Sequence, residues 1–381
     1  GRYPAVLIPS GHTQEGKPEP QILAANFARK GFVALTYDPI GQGEREQTYL
    51  PQLGRALSVG GGNEHLELGA RSLLIGQSVA RYFVHDAGRA VDYLVSRPDV
   101  DPDRLGVTGC SGGGAIATYA AAFDPRFKAA AAGCFISTFR TLYTGPTADS
   151  EMSLPRFLAN GLDWADLFEL AAPLPWLMMA TTEDYFVPAS AKPVYDEGSR
   201  FSGWDGADQR IRYFVGTGPH GTPVESREEI YGWMIRWLNS GQGDPKDYPV
   251  PLYTNLELRV TATGNVDGEP GARKFWQVIL GEYRAKKHKR DVSALLAELQ
   301  RLGVPSTGTA PAVRVEQRTS GDGFQVEQIR FAAEAGVEIG GKLYIPSGEG
   351  RKPAVLIVED KRLPVPVVRA AQPFYGALGR G

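Results

Sequence analysis

The chain has 381 residues, which is enough for one large domain with an extension or for two domains. Apolar residues make up 42% and charged residues 22%, a balance typical of a globular protein with a sizeable core. The net charge of -2 gives no general attraction to nucleic acid or to an anionic membrane. Two cysteines exclude a disulfide scaffold and a cysteine-based zinc site, and no apolar run approaches the roughly 20 residues that cross a bilayer.

Short apolar runs alternate with amphipathic segments over the first 240 residues, a pattern typical of a mostly parallel sheet with helices on both faces. The predicted strands are 5–8, 33–37, 105–108, 129–136, 176–180 and 211–215. The predicted helices are 21–29, 79–96, 115–122 and 225–238. The fold class is therefore α/β. Residues 144–172, a mixture of Gly, Pro and aromatic residues, are expected to form a cap over a site.

The composition changes after residue 240. Residues 241–251 are rich in Gly, Pro and Asp, as domain boundaries often are. We therefore predict a catalytic domain at 1–240 and a linker or extension at 241–324, with a helix near 291–302. The last segment, 325–381, is expected to be either a partial second unit or a source of strands for the first sheet.

An internal repeat is the basis for those two alternatives. The sequence of residues 1–8 matches that of residues 350–357. Because the apolar run begins already at Ala5, we expect the given sequence to start within a strand pattern. Residues 325–332 and 337–345 ahead of the second copy predict a β-hairpin. Either the chain belongs to a longer tandem, or the hairpin folds back and completes the first sheet, because an open sheet edge is a liability.

The strongest chemical signal is the pattern G-x-S-x-G at residues 109–113, between a predicted strand and a predicted helix. Its three glycines permit the sharp turn that holds a nucleophile in a strained backbone conformation. The start of the helix also points free N–H groups at the site, where they stabilise an oxyanion. This pattern predicts Ser111 as a nucleophile. The alternative is a glycine-rich turn with an inert serine.

A serine hydroxyl needs a base to take its proton. Among the five histidines, His220 follows the strand at 211–215 and precedes the last helix, where a base is expected. The orienting acid should lie between nucleophile and base and should follow a strand. Asp184 after the strand at 176–180 meets both conditions, with Glu183 as the fallback. It would accept from the imidazole N–H and fix the tautomer.

The oxyanion hole needs two N–H donors. Gly112, which follows the nucleophile, should supply one, and the backbone of His12 or Thr13 after the first strand should supply the other. The His12 ring is expected to form a wall of the pocket. Three aromatic residues of the cap are candidate substrate contacts: Phe157, Trp164 and Phe168. Core packing is the alternative role for these three side chains.

The remaining histidines and both cysteines are expected to be structural or exposed. We predict a structural role for His85 and an exposed position for His288, which lies in a basic run expected to be a solvated helix face. His65 is expected to be structural, with a place in the wall of the site as the alternative. Cys110 and Cys134 are expected to be buried free thiols, with a disulfide as the alternative.

With these residues in place, residues 1–240 resemble the α/β-hydrolases of the acetyl xylan esterase-like type. The matching motifs are at 9–12, 37–45, 109–113, 184–188 and 219–221. The resemblance implies the α/β-hydrolase fold and a serine carboxylesterase that works through an acyl-enzyme intermediate, with a small-molecule or carbohydrate ester such as an acetylated plant-polysaccharide sugar as substrate. It further implies an exported bacterial protein. No metal or organic cofactor is expected, and no nucleic acid or membrane partner.

Three other classes of protein are alternatives to this interpretation. Glucuronoyl esterases carry Arg after the nucleophile where this chain has Gly112, and this departure counts against them. Peptidases of the prolyl-oligopeptidase type share the fold and the order of the triad, but they usually carry a large propeller domain. A non-catalytic scaffold with a hydrolase fold is the third alternative. The second copy of the repeat has residues 359–361 in place of the oxyanion loop of the first copy, so it is not expected to form a second active site.

Overall fold

The structure is a computed structural model that describes residues 1–50, 52–53, 55–58, 61–145, 149–201, 209–286, 291–301 and 308–358. The chain divides into two units, Gly1–Lys287 and His288–Gly381. The change in composition suggests that the first unit ends at residue 240, whereas in the structure this unit extends to Lys287.

A six-stranded parallel sheet lies at the centre of the first unit. Its strands are β1 (Tyr3–Pro9), β2 (Val33–Tyr37), β5 (Val100–Cys110), β6 (Phe127–Gly133), β7 (Trp176–Glu183) and β8 (Ile211–Pro219). They are ordered β2-β1-β5-β6-β7-β8, and every neighbouring pair is parallel. A separate two-stranded hairpin is formed by β3 (Tyr49–Leu50) and β4 (Arg55–Ala56).

Helices cover both faces of this sheet. They are α1 (Gln21–Arg29), α2 (Gly61–Leu74), α3 (Ala80–Ser96), α4 (Gly112–Phe123), α5 (Phe139–Thr144), α6 (Trp164–Leu170), α7 (Pro188–Gly198), α8 (Val224–Leu238) and α9 (Phe275–Ala285). This is the α/β-hydrolase fold that the sequence predicts.

The alternation of side chains along β1 explains the two hydrophobic layers. Ala5 and Leu7 join a core cluster that includes side chains of α3 and α4, whereas Val6 and Ile8 join a second cluster with side chains of α1 and α8. Successive side chains of a strand point to opposite faces, so the two clusters lie on opposite sides of the sheet. Six of the seven residues of β1 are buried, because helices cover both faces.

The segment after residue 240 packs against residues 1–240 through specific contacts. Phe275 is only 2% exposed, and its ring centroid lies 4.9 Å from that of Tyr82. The amide of Asn265 donates to the carbonyl oxygen of Glu46 at 3.1 Å. Because these contacts bury an aromatic ring and satisfy a buried amide, the segment up to residue 287 belongs to the first unit.

The second unit contains one helix and one sheet among its described residues. The helix α10 (Val292–Arg301) lies close to the predicted 291–302. The strands β9 (Val313–Ser320), β10 (Phe324–Glu334) and β11 (Val337–Pro346) form an antiparallel sheet in the order β11-β10-β9. The predicted hairpin is thus present, and its described strand partners lie within this sheet. Residues 359–361 and His288 lie outside the described residues.

Candidate active site

Ser111 occupies a sharp turn between β5 and α4. Its backbone has φ 59° and ψ -128°, a conformation that is uncommon for a residue other than glycine. The surrounding chain is so close that a Cβ atom on Gly109 would lie 2.2 Å from the carbonyl oxygen of Gly113. A Cβ atom on Gly113 would lie 2.3 Å from the carbonyl oxygen of Pro9. The G-x-S-x-G pattern therefore meets a steric requirement of this turn.

Asp184 and His220 lie together at the carboxyl ends of the neighbouring strands β7 and β8. The Nδ1 atom of His220 is 2.8 Å from Oδ1 of Asp184, whose side chain is buried. The backbone N–H of Phe186 also donates to Oδ1 at 2.9 Å, and the hydroxyl of Thr181 donates to Oδ2 at 3.3 Å. With Nδ1–H donating to the carboxylate, Nε2 has the free lone pair that a base requires. Glu183, the fallback acid, is exposed.

Tyr185, which the sequence analysis did not single out, lies between the predicted nucleophile and the predicted base. Its ring stacks on that of His220 with centroids 4.4 Å apart, and its hydroxyl lies 3.2 Å from Nε2. Burial raises the pKa of Tyr185, and a hydrogen bond with Ser111 lowers it in part. Within the described residues, no direct hydrogen bond joins Ser111 to His220. The position of Tyr185 directly after the predicted acid is the signal that could have revealed it.

The loop after β1 lies against the turn that carries Ser111. A Cβ atom on Gly11 would lie 3.7 Å from Cβ of Ser111. The N–H of Thr13 donates to the carbonyl oxygen of Gly11 at 2.8 Å, so this predicted oxyanion donor is already engaged. In the described structure, neither the backbone N–H of His12 nor that of Gly112 donates a hydrogen bond to a backbone carbonyl in a turn, loop or helix cap. These two groups are the better-placed candidates for an oxyanion hole.

The His12 ring is packed directly against Gly112. A Cβ atom on Gly112 would lie 2.5 Å from Nε2 of His12. The same nitrogen contacts the buried carboxylate of Glu151, and Nδ1 lies 3.6 Å from Oδ2 of Asp149. Burial lowers the pKa of His12, but the negative charge of Glu151 and its hydrogen bond raise it more, to about 9. The ring therefore packs beside the turn of the predicted nucleophile, and with this pKa it carries a positive charge at neutral pH.

His65 completes a cluster with these residues. It is 1% exposed, and its Nε2 lies 2.8 Å from the carbonyl oxygen of Ile40. Its Nδ1 lies 3.5 Å from Oε1 of Glu151, a residue of the short 3-10 helix Ser150–Met152. His12 and His65 are predicted separately from the sequence, because nothing in their spacing shows that a single glutamate contacts both rings.

Two of the three predicted substrate contacts belong to the hydrophobic core. Trp164 is 1% exposed and Phe168 is fully buried. The Trp164 ring packs on Phe135 with centroids 5.1 Å apart, and Phe168 packs on Trp176 at 4.7 Å. The structure corrects the prediction for both, because buried side chains cannot touch a substrate. Phe157 is half-buried and lines a cavity of about 290 Å³ whose lining does not include the nucleophile.

The two cysteines are free, and both lie close to the site. A hydrogen bond with Cys134 raises the pKa of the Cys110 thiol, and burial raises it further. The Sγ atom of Cys134 donates to the carbonyl oxygen of Gly221 at 3.0 Å. The thiol of Cys134 therefore contacts the loop that carries the neighbouring His220. His85 is exposed on α3.

Comparison with known proteins supports a hydrolase. The model of the prolyl oligopeptidase family matches residues 76–192. A relative from Bacillus subtilis (strain 168), "Putative hydrolase YtaP", is 28% identical over 255 residues, which cover 62% of this chain and 80% of the relative. Within the described structure, no helix has the length and apolar character needed to cross a membrane.

Solved structures resemble the chain in fold. Methylesterase BT1017 has a TM-score of 0.53 and 20% identity, and the match covers 79% of this chain. This chain spans 62% of the length of that methylesterase, which is less than two thirds. A glucuronoyl esterase from Caldicellulosiruptor kristjansonii has a TM-score of 0.45 and 15% identity, with 69% of this chain and 73% of that chain covered. The matching family model, the methylesterase match and the strand order of the central sheet confirm the α/β-hydrolase fold that the motifs indicate.

Proposed function

We propose that this hydrolase is a serine carboxylesterase that cleaves its substrate through an acyl-enzyme intermediate. The observation that carries the proposal is the 2.8 Å contact between His220 Nδ1 and the buried carboxylate of Asp184. With Nδ1–H donating to this carboxylate, Nε2 keeps a lone pair for the proton of Ser111, which occupies the strained turn that nucleophiles of this fold occupy. A base, an orienting acid and an activated serine are the groups that acyl transfer requires.

In the proposed mechanism, His220 Nε2 takes the proton of Ser111 as its Oγ atom attacks the ester carbonyl carbon. The negative charge then moves to the carbonyl oxygen, where the N–H groups of Gly112 and His12 are the proposed donors. His220 returns the proton to the leaving alcohol. Water next attacks the acyl-enzyme with His220 again as base, and the acid is released from Ser111. Asp184 stabilises the imidazolium in both halves of the reaction.

Acetyl esters of plant-polysaccharide sugars are the substrate class we propose. The support for this class is the resemblance of the motifs at 9–12, 37–45 and 219–221 to those of acetyl xylan esterase-like hydrolases. An exported protein would meet such polymers outside the cell. A panel of p-nitrophenyl esters with acetyl, butyryl and octanoyl groups, together with acetylated xylooligosaccharides, measures the preference. Preference for long acyl chains and no acetate release from the oligosaccharides would contradict this substrate class.

A peptidase of the prolyl-oligopeptidase type is a second candidate, because the matching family model spans the segment that contains Ser111 and Asp184. Both enzymes would use the same three residues, so only the leaving group distinguishes them. Parallel assays with p-nitrophenyl acetate and with a proline p-nitroanilide peptide separate the two. A value of kcat/KM that is higher for the anilide than for the ester would favour the peptidase.

The first experiment is the hydrolysis of p-nitrophenyl acetate by the parent chain and by Ser111→Ala. The matched control is Ser96→Ala, because Ser96 is an exposed serine at the end of α3. We expect the activity to be lost in Ser111→Ala and to be unchanged in Ser96→Ala. A fluorophosphonate probe followed by peptide mass spectrometry should label Ser111. A folded parent chain with neither activity nor labelling would instead favour the non-catalytic scaffold.

A further inference from the structure

A buried cluster beside the nucleophile has no role in the proposed acyl transfer as base or acid. It consists of His12, His65 and Glu151, whose donor atoms all lie within 4.8 Å of one another. Glu151 is fully buried and His65 is 1% exposed. Two imidazoles and one carboxylate at such distances form a set of ligands that divalent zinc accepts in proteins.

Among the residues that the structure describes, Nδ1 of His65 and Oε2 of Glu151 are buried and have no hydrogen-bond partner. The nearest carboxylate oxygen to Nδ1 of His65 is Oε1 of Glu151 at 3.5 Å, beyond good hydrogen-bond geometry. Buried polar atoms are nearly always paired, because a buried atom without a partner has lost its hydrogen bonds to water. Both unpaired atoms belong to the same cluster, and both are able to bind a metal.

The outer nitrogen of His65 is held in the way that metal-binding histidines require. Nε2 of His65 lies 2.8 Å from the carbonyl oxygen of Ile40, so Nε2–H donates there and Nδ1 keeps its lone pair toward Glu151. Nδ1 of His12 faces Oδ2 of Asp149 at 3.6 Å, and Nε2 faces Glu151. Metal-binding histidines usually donate their second N–H to a backbone carbonyl or a carboxylate. His65 has such a partner in the carbonyl oxygen of Ile40, whereas Asp149 lies at ion-pair distance from His12, beyond hydrogen-bond distance.

We propose that Nε2 of His12, Nδ1 of His65 and the carboxylate of Glu151 bind a divalent transition-metal ion, with zinc as the best match. Three such ligands leave one position of a tetrahedral ion for water. The ion takes the place of the proton that His12 and Glu151 share in their hydrogen bond. The cysteine count gave no sign of this site, because it uses no cysteine.

The ion would join three separate parts of the chain. His12 belongs to the loop after β1, His65 to α2, and Glu151 to the 3-10 helix at 150–152. Because the His12 ring lies against Gly112, the ion would also fix the loop that is proposed to hold the oxyanion. The site thus goes beyond the proposed ester hydrolysis, and its measurement needs no substrate.

The test uses the full chain, stripped with EDTA, incubated with Zn²⁺ and desalted before metal analysis by mass spectrometry. We expect about one zinc per chain. Saturating Zn²⁺ should raise the Tm of the stripped protein by roughly 3 °C or more, because a ligand that binds only the folded state stabilises it. Replacing zinc with Co²⁺ should give visible absorption bands from the bound ion.

Variants locate the ion. Glu151→Gln keeps the size of the side chain, and with His65→Gln it should lose the zinc and the rise in Tm. The control is His85→Gln, an exposed histidine that should keep both. A parent chain that retains no zinc and shows no rise in Tm overturns the proposal, whether or not any variant folds. Equal zinc in the parent, Glu151→Gln and His65→Gln also overturns it, because the ion would then lie elsewhere, for example at Cys134, Asp184 and His220.

Discussion

Replacement of Gly112 by alanine tests the contact between the nucleophile turn and the oxyanion loop. The new Cβ atom would lie 2.5, 2.6 and 2.9 Å from Nε2, Cδ2 and Cε1 of His12. Non-bonded atoms prefer about 3.5–4.0 Å, so the ring has to retreat by about 1 Å. It cannot retreat freely, because Glu151 and Asp149 hold its two nitrogens. Overpacking of this kind typically costs about 1–3 kcal/mol of the free energy of unfolding.

The same displacement should reduce activity, because the ring and the proposed N–H donor belong to one residue. Loss of one oxyanion donor lowers kcat by about 10²–10³. A shift of His12 rather than its removal should therefore lower kcat on p-nitrophenyl acetate by roughly 10–100-fold. Urea unfolding monitored by circular dichroism gives the change in stability, and steady-state kinetics gives kcat and KM.

The matched control is Gly88→Ala in α3, where the new Cβ atom would have no neighbouring atom within 4 Å among the described residues. Alanine in a helix should leave kcat unchanged and add about 0.5–1 kcal/mol to the free energy of unfolding. The reasoning is refuted if Gly112→Ala matches the parent within twofold in kcat and in unfolding midpoint. That result would mean that the loop of His12 moves away from the turn at Gly112 without loss of stability or activity.

Three further variants test other contacts. Asp184→Asn should lower kcat by about 10⁴ with little change in KM, because the amide favours the wrong imidazole tautomer; a loss below tenfold would point to another acid. Tyr185→Phe keeps the stacked ring but frees Nε2 of His220, so kcat/KM for p-nitrophenyl acetate should rise about threefold to tenfold; a large fall would instead give the hydroxyl a part in the reaction. Burial raises the pKa of Glu44, and hydrogen bonds from Lys17 and Thr261 lower it more, to about 2. The stability that Glu44 contributes is complete above its ordinary pKa of 4.5 and is lost as the pH falls through about 2. Glu44→Gln should therefore unfold at lower urea than the parent near neutral pH, and the gap should narrow on acidification; a constant gap contradicts this.

The parts of the fold that depend on neighbouring residues in the sequence were predicted best. The short apolar runs located the six strands. The pattern at residues 109–113 pointed to a site, because side chains on Gly109 and Gly113 would collide with the surrounding backbone. The order of nucleophile, acid and base along the chain then pointed to Asp184 and His220, which the structure brings to 2.8 Å.

Other features depend on contacts between residues that are distant in sequence. Glu151 meets His12 across 139 positions, and no local spacing reveals such a contact. Trp164 and Phe168 were expected at a substrate surface because aromatic residues serve both surfaces and cores, and only the fold shows which. The extension past residue 240 has the composition of a linker, yet Phe275 is buried against the first unit.

The packing of His12 on Gly112 also limits how this enzyme can change over evolutionary time. An arginine after the nucleophile, the residue expected in glucuronoyl esterases, would have to pass through the space that the imidazole fills. If the ring cannot move aside, we expect a lineage that acquires a long side chain at position 112 to lose the ring at position 12 first. The order of the two substitutions is thereby constrained, and each position decides which neighbours the other can tolerate.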